Sequence, residues 1–468
     1  MLTKLDLSAC EKEAIQTPNL IQPQGYSLVI EKGTMAVTRC SANFDSTKIG
    51  PASEIPGRNV FGLLPAPLVA SITQKFDFDQ QKRHIIFDAQ FPALSDSSVD
   101  IFICDAAGEI ILEFIPSEKR DSEGFAENYL NRIVRRVMGG QNHETLFQQA
   151  ADEVRSFTGY DRVMIYRFDA DFNGQVIAES HEQGMESYIG LNYPASDIPA
   201  QARELYRKNM IRIIVDAAYT PVALISPEKS LPPLDMSYSY LRSVSPIHLE
   251  YLHNMGVAAT LTISIIVNGG LWGLISCHHR KPYMPSLRRI STAEVFGNLF
   301  GGIIEMRVES ENARRSGQLL ARLDTVMDIL MSQDKNQDVM DLINDRSFLF
   351  QSILPSDGIL VRAGGRSVSR NFAVEEDELT DLLEGLEANM HGSIFCTDYL
   401  ANVLPDMNEH IQRYCAGLMV LKLNTQPQSW WLWRRNEKTQ TITWGGDPNQ
   451  KAILNQQGLI SPRKSFEK

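Results

Sequence analysis

The chain has 468 residues, 43% of them hydrophobic and 22% charged, the balance of a soluble globular protein with room for roughly two to four domains. Its formal net charge of −12 argues against a nucleic-acid-binding surface and against an anionic membrane surface. The opening residues MLTKLDLSACEKE hold no apolar core, which predicts no signal peptide, and the six scattered cysteines show no CxxC, which fits a reducing, cytoplasmic setting.

Residues 1–25 read as irregular, with Pro18 and Pro23. From 26 to 115 short apolar runs alternate with turn residues, at 26–30, 84–87 and 99–103. The last pairs with 109–114 across Asp105-Ala106-Ala107-Gly108, a hairpin pattern, so a small α+β sensor-type domain is expected. A polar break at 116–121 follows, then helical spacing over 126–137 and 144–158, then strand-like runs at 162–168 and 175–179. Helices are expected at 200–208 and 246–254, and strands at 259–267 and 271–278 around Asn268-Gly269-Gly270. The apolar stretch 256–276 is broken by Thr260, Thr262, Ser264 and that turn, so it reads as two strands and not as a membrane span. From 286 to about 331 the pattern is helical and long, with Val295, Leu299, Gly302 and Met306, then Leu319, Leu323, Val326 and Leu330, at helical spacing. Such a helix bridges domains or forms a dimer seam; Gly297, Gly301 and Gly302 leave a broken pair of ordinary helices as the alternative. A third α/β domain is expected from about 339. In it, 428–435 and 441–444 flank a polar turn, which predicts a hairpin arm holding four of the five tryptophans and docking on another surface.

Pro194-Ala195-Ser196-Asp197-Ile198-Pro199 predicts a stiff corner, because each proline fixes its own φ and pushes the residue before it toward extended backbone. Asp197 is then held where its carboxylate and its carbonyl can both be aimed at a cationic or N–H-rich ligand. For an arbitrary match the bland reading is a surface turn. No GxxxxGK[ST], GxSxG, HExxH or HRD/DFG pattern occurs, so no enzyme class has a motif behind it. Cys277-His278-His279 does not make a metal site, since neighbours on a strand point to opposite faces. Other residues of this stretch converge. His248 and Tyr251 share a helix, His278 ends a strand, and Arg212 and Arg242 offer forks suited to carboxylates. Tyr166, Tyr193 and Tyr206 add amphipathic surface, and the hydroxyls of Thr260, Thr262 and Ser264 alternate along one strand. Each has a bland reading alone, as a satisfied core histidine, a solvated arginine or a polar strand face. Together they describe a pocket for a large flat ligand with two carboxylates and several N–H groups.

PASDIPAQAR (194–203), LRSVSPIHLEYLHNMGV (241–257), LWGLISCHH (271–279) and SPRKSFEK (461–468) resemble phytochrome signatures. Cys10-Glu11-Lys12-Glu13 followed by Ile21-Gln22-Pro23-Gln24-Gly25 resembles the entry of bacteriophytochromes, so the resemblance covers essentially the whole chain. It implies a photosensory core of three consecutive α+β sensor domains, each an antiparallel sheet with flanking helices. These are PAS (1–124), GAF (125–312) and PHY (313–468, with a tongue at about 425–467), joined by long helices and carrying an N-terminal figure-of-eight knot.

It also implies a covalent linear tetrapyrrole. Ile247 stands where plant-type relatives carry the attachment cysteine, so Cys10 and biliverdin IXα are implied instead. Lys12 favours a Cys10 thiolate while Glu11 and Glu13 disfavour it. By the same resemblance the Asp197 carbonyl, in the corner with Ile198 and Pro199, takes the pyrrole N–H groups, and its carboxylate faces Arg463 and Ser465 of the tongue. His248 bonds the pyrrole water, and His278 bonds the ring D carbonyl. Arg212 and Arg242, with Tyr206, Ser245, Thr260 and Thr262, hold the propionates. Tyr166, Tyr193 and Tyr251 shape the ring D cavity. Tyr193 where many relatives have Phe, Gln24 in place of His, and Thr260 and Thr262 in place of Ser are departures. The expected activity is red/far-red sensing without catalysis, in a parallel homodimer, signalling to a histidine kinase or diguanylate cyclase output. The rivals are a PAS/GAF module for a non-bilin ligand, such as a cyclic nucleotide or haem, and a purely structural dimerisation scaffold.

Overall fold

The computed structural model describes residues 13–75, 82–117, 125–139, 143–227, 231–332, 338–424, 428–439, 441–448, 453–454 and 460–461. The chain forms two units, Met1–Glu305 with Ile442–Lys468, and Met306–Thr441.

In the first unit the expected strand runs become β2 (Tyr26–Glu31), β4 (Arg83–Gln90), β5 (Ser98–Ala106) and β6 (Glu109–Pro116), with β3 at Val37–Ser41 and helix α1 at Ala66–Thr73; a short strand β1 (Leu20–Ile21) also forms within the stretch read as irregular. The β5–β6 hairpin forms as expected; Ala107 and Gly108 both take positive φ in its turn. Alternation along β6 assigns its two faces. Leu112 and Phe114 belong to the PAS core, whereas Ile111 and Ile115 join the core shared with the following domain.

Helices α2 (Phe125–Met138) and α3 (His143–Thr158) lead into β7 (Arg162–Phe168), β8 (Gly174–His181) and β9 (Asn192–Tyr193). After α4 (Ala200–Lys208) come β10 (Ile211–Ile214), β11 (Val222–Ile225), α5 (Pro246–Asn254), β12 (Ala259–Val267) and β13 (Gly270–His279). Six of these strands form an antiparallel sheet in the order β10-β12-β13-β7-β8-β9. β11 leaves it and joins the first sheet instead, whose order is β1-β11-β3-β2-β6-β5-β4.

That excursion produces the expected crossing. The N-terminal segment pairs with β11 on one side, where Leu20 opposes Ala223. On the other side the Met236 amide donates to the Gln16 carbonyl (2.9 Å), the Ser243 amide to Leu20 (3.0 Å), and the Gln22 amide to Leu241 (2.7 Å). The buried Gln22 side chain locks the register by donating to the Ile213 carbonyl at 2.9 Å.

α6 (Leu287–Met331) is one helix of 45 residues, which sets aside the broken-pair alternative. Two of its glycines serve close approach: a Cβ on Gly301 would lie 2.2 Å from the Ile266 carbonyl oxygen, and one on Gly297 2.5 Å from Ile263 Cγ2. Ile290, Ala293, Phe296, Phe300, Ile303 and Ile304 form the core face of α6, while Val295, Leu299 and Met306 are exposed.

The second unit holds α7 (Val339–Asp345), α8 (Ser347–Ser352), β14 (Gly358–Ala363), β15 (Arg366–Arg370), α9 (Glu376–Asn389), β16 (Ile394–Thr397), α10 (Glu409–Tyr414), β17 (Gly417–Leu423) and β18 (Ser429–Arg435). The sheet order is β15-β14-β18-β17-β16. The expected tryptophan arm is therefore corrected. β18 is the central strand, with Trp430, Leu432 and Trp433 buried, and residues 441–444 do not pair with it. A strand covered on both faces carries large apolar groups on both, which reads in sequence like a sticky hairpin. Beyond it, a short hairpin of β19 (Ile453–Leu454) and β20 (Ile460–Ser461) belongs to the first unit, with β20 against α5.

Candidate functional site

The GAF sheet has one apolar face and one that is polar in part. Val163, Ile165, Leu261, Ile263, Ile275 and Cys277 point into the core, and burial pushes the Cys277 thiol pKa up. Strand alternation puts the intervening residues on the opposite face. Arg212 of β10 opposes Thr262 of β12, which opposes Ser276 of β13. One step along, Thr260 opposes His278, which opposes Arg162 of β7. Arg212, Thr260, Thr262, Ser264 and His278 are all buried, so the face is polar and yet shielded from water.

Arg212 and Arg242 converge here. Arg212 Nη2 donates to the Arg242 carbonyl, and Arg242 Nη1 donates to the Ile15 carbonyl at 2.6 Å. Burial lowers both guanidinium pKa values, and for Arg242 the neighbouring Arg212 charge adds to the effect. Among the described residues no carboxylate lies within salt-bridge distance of either, and Arg242 Nε is buried without a partner. Two buried like charges in this setting are costly unless an anion completes them.

His278 is the second incomplete group. Its Nε2 is 3.1 Å from Ser276 Oγ, while its Nδ1 is buried without a partner. Burial first, then Arg162 and His248, push its pKa down to about 3. His248, on α5, is pushed down to about 4 by burial and by Arg212. Its ring lies nearly parallel to that of Tyr251, with centroids 6.2 Å apart. The Tyr206 hydroxyl is hydrogen-bonded to Thr262, and Ser264 Oγ donates to the Tyr206 carbonyl at 2.7 Å. Tyr166 and Tyr193 sit in a separate apolar cluster with ring centroids 5.9 Å apart. The Tyr166 ring occupies the place a side chain at Gly174 would need. Burial raises the Tyr193 pKa, and Tyr188 and Asp197 add to the shift.

Residues 194–199 form a tight corner. Ala195–Asp197 form a 3-10 turn in which the Asp197 amide donates to the Pro194 carbonyl at 3.0 Å, and Pro199 opens α4. Two residues not singled out in the sequence clamp it. Arg203 Nη1 donates to the carbonyls of Ile198 (2.5 Å) and Ala195 (3.2 Å), and Asn173 Oδ1 accepts from the Ala195 amide (3.2 Å). Arg203 stands one helical turn past Pro199, a spacing that could have revealed it. Also unread was the buried Arg162–Glu179 ion pair (2.9 Å) beneath the Tyr188 ring. Ser245 caps α5, accepting from the Ile247 amide (3.3 Å), and donates to Glu13 Oε2 at 2.8 Å. Cys10, Arg463 and Ser465 lie outside the described residues.

Residues 443–445, within the stretch expected as a tongue, run beside this corner. The Asn192 amide donates to the Thr443 carbonyl and the Gly445 amide donates to the Asn192 carbonyl, each at 2.8 Å. Asn192 and Trp444 thereby form a parallel bridge on the open edge of β9.

The described residues hold no cluster of three or more His, Cys, Asp or Glu fit for a metal, and no helix long and apolar enough to cross a membrane. Comparison with known families matches 10–117 to a PAS fold, 142–304 to a GAF domain and 323–468 to a phytochrome region. The chain is 34% identical to cyanobacterial phytochrome B of a Nostoc species over 99% of its own length, spanning 62% of that protein. It is 33% identical to a Pseudomonas aeruginosa bacteriophytochrome, spanning 63% of it, so it covers a little under two thirds of these two relatives. A Xanthomonas campestris bacteriophytochrome is 32% identical with 74% of its length covered. Among solved structures, a bacteriophytochrome from R. palustris superposes with a TM-score of 0.86 at 30% identity, over 98% of this chain and 93% of that one. The Stigmatella aurantiaca phytochrome photosensory core does so at 0.83 and 31%, over 99% and 92%. With this sheet, this corner and these three regions in order, the chain belongs to the phytochrome family as a bacteriophytochrome-type PAS-GAF-PHY photosensory core.

Proposed function

We propose that the chain is a red/far-red light sensor whose GAF pocket holds biliverdin IXα through a thioether to Cys10. The observation that carries this reading is the pair of stranded buried atoms, Arg242 Nε in the stretch that Arg212 bonds and His278 Nδ1 on the polar part of the sheet face. Two guanidinium groups lacking a carboxylate call for a ligand with two, and biliverdin has two propionates. An imidazole nitrogen lacking a partner calls for a polar edge such as a terminal-ring lactam. When bound, the bilin supplies visible absorption and a C15=C16 double bond that light isomerises. Around it Arg212 and Arg242 bind the propionates with Tyr206, Ser245, Thr260 and Thr262. His278 donates to the ring D carbonyl. The Asp197 carbonyl, fixed by the prolines and by Arg203, accepts pyrrole N–H groups. His248 orients the pyrrole water, and Tyr166, Tyr193 and Tyr251 line the ring D end.

Attachment at Cys10 has a reach argument behind it. Glu13 is tied to Ser245 at the start of the His248 helix. Cys10 is three residues earlier, so its Cα falls within about 11 Å of that of Glu13. No thiol precedes His248, where Ile247 stands. The Asp197 carboxylate reads the tongue through Arg463 and Ser465, and the docking of 443–445 on Asn192 supports a tongue held at this edge. The chain carries no catalysis itself and acts in the cytoplasm on a histidine kinase or diguanylate cyclase output. Exposed Val295, Leu299 and Met306 on α6 support a parallel dimer.

The test is spectroscopic. Biliverdin added to the purified protein should give a red-absorbing species that red light converts reversibly. Cys10→Ser should abolish denaturation-resistant attachment, read as zinc-dependent gel fluorescence, while sparing non-covalent binding. No coloured product would favour a non-bilin ligand instead.

A further inference from the structure

We propose that Glu113, a carboxylate of the PAS sheet, is a positioning residue for the ligand-carboxylate site of the GAF domain. Glu113 lies on β6 between Leu112 and Phe114 and is fully buried. The other face of its strand builds the PAS core; Glu113 itself points at the 236–243 excursion. There its Oε1 accepts from Ser239 Oγ (2.5 Å) and the Leu241 amide (2.9 Å), and its Oε2 accepts from the Tyr240 amide (2.7 Å). Phe102 of the same sheet stacks on Tyr240 with ring centroids 4.4 Å apart.

Arg242 follows Leu241 directly. Its backbone is thus pinned from the PAS side by one carboxylate, and from the opposite side by the Leu20 and Gln22 pairings. The Arg242 carbonyl in turn takes the Arg212 Nη2 donor, so the placement of both guanidinium groups follows from this one peptide stretch. Charge runs along the same line. Burial pushes the Glu113 carboxyl pKa up, and the Ser239, Leu241 and Tyr240 donors and Arg212 pull it back; Glu113 in turn helps keep Arg212 charged against burial. A buried carboxylate between two core residues costs stability that an apolar residue would not. Its three-way grip on the excursion is what that cost maintains.

The inference rests on the reading that Arg212 and Arg242 take the ligand's carboxylates. Its test compares biliverdin with biliverdin dimethyl ester, which lacks both charges. Binding to the full chain is titrated by absorbance in a Cys10→Ser background, so that covalent trapping does not intervene. That parent is expected to prefer the free acid by about tenfold or more, the scale of a hydrogen bond to a charged group. Glu113→Gln keeps the size but turns an N–H donor toward the Tyr240 amide, and should cut the preference to within about threefold while leaving ester affinity unchanged. Leu112→Ala, on the opposite face of the strand, should lower the melting temperature without touching the preference. Should Glu113→Gln not fold, Ser239→Ala removes one of the three donors and should lose part of the preference in the same assay. A full preference retained in the folded Glu variant, or in Ser239→Ala where that stands in, overturns the proposal. A parent that binds both compounds equally, or neither, overturns the functional reading and the proposal with it.

Discussion

A histidine that must stay neutral inside a folded protein leaves a mark on stability. In the ligand-free protein the pKa values of His248 and His278 are pushed from 6.5 down to about 4 and about 3, first by burial and then by nearby cations. The unfolded chain takes up those protons near the ordinary value, and the folded one only far below it. Each site's stabilisation is therefore complete above about pH 6.5 and is lost as pH falls toward the folded values, at up to about 1.4 kcal/mol per pH unit. The urea midpoint of the ligand-free protein should drop between pH 7 and pH 5. His248→Gln and His278→Gln should each remove a substantial part of that drop, and a drop of wild-type size in both would contradict the assigned environments. These residues were legible as types: imidazoles, guanidinium groups and tyrosines crowded into one stretch named the pocket. Glu113, Arg162 and Glu179 were not, because a charge inside an apolar run looks like the solvent side of a half-buried strand. Only the packed fold shows that both faces are covered.

At the level of elements, periodicity identified strands and helices but not what lay against them. The stripe of Val295, Leu299 and Met306 on α6 was visible, yet it is the exposed side of the helix. The core face runs through Ile290, Phe296 and Phe300, whose spacing the same stretch also satisfies. The glycines suggested a break because helix propensity is all a sequence displays at such a position. Contact with β12 is the real reason for two of the three, and this predicts opposite outcomes for neighbouring substitutions. Gly301→Ala drives a methyl against the Ile266 carbonyl, a backbone atom, and should cost about 1–3 kcal/mol. Gly302→Ala meets nothing within 4 Å and should gain about 0.5–1 kcal/mol from propensity alone. Thermal melts of the two variants check this, and equal tolerance at both sites would contradict the close packing of α6 on the sheet. The tryptophan strand β18 makes the same point: alternation fails as a guide where both faces of a strand are covered.

On the scale of the whole molecule, segments distant in sequence meet on the GAF domain. The N-terminal stretch reaches it through the crossing, and the tongue reaches it through the edge of β9. The two ties differ in strength. The crossing is buried and held by Gln22 and Glu113, whereas the 443–445 bridge sits at the sheet edge, with two backbone bonds to Asn192 and the half-buried Asn192 side chain donating to the Thr443 carbonyl at 3.2 Å. Local stability follows buried contacts, so the bridge is expected to open before the crossing. Gly445→Pro removes the donor to the Asn192 carbonyl and should speed amide exchange over 441–448 by about tenfold, the value of one such bond, while exchange in β12 and β13 stays unchanged. In biliverdin-loaded protein, red light should shift exchange at Asn192 and Gly445 in the same direction. The Asp197 corner begins two residues past Asn192, so a change at the corner is transmitted to the bridge through very little chain. Exchange at both amides that ignores illumination would uncouple the bridge from the light response.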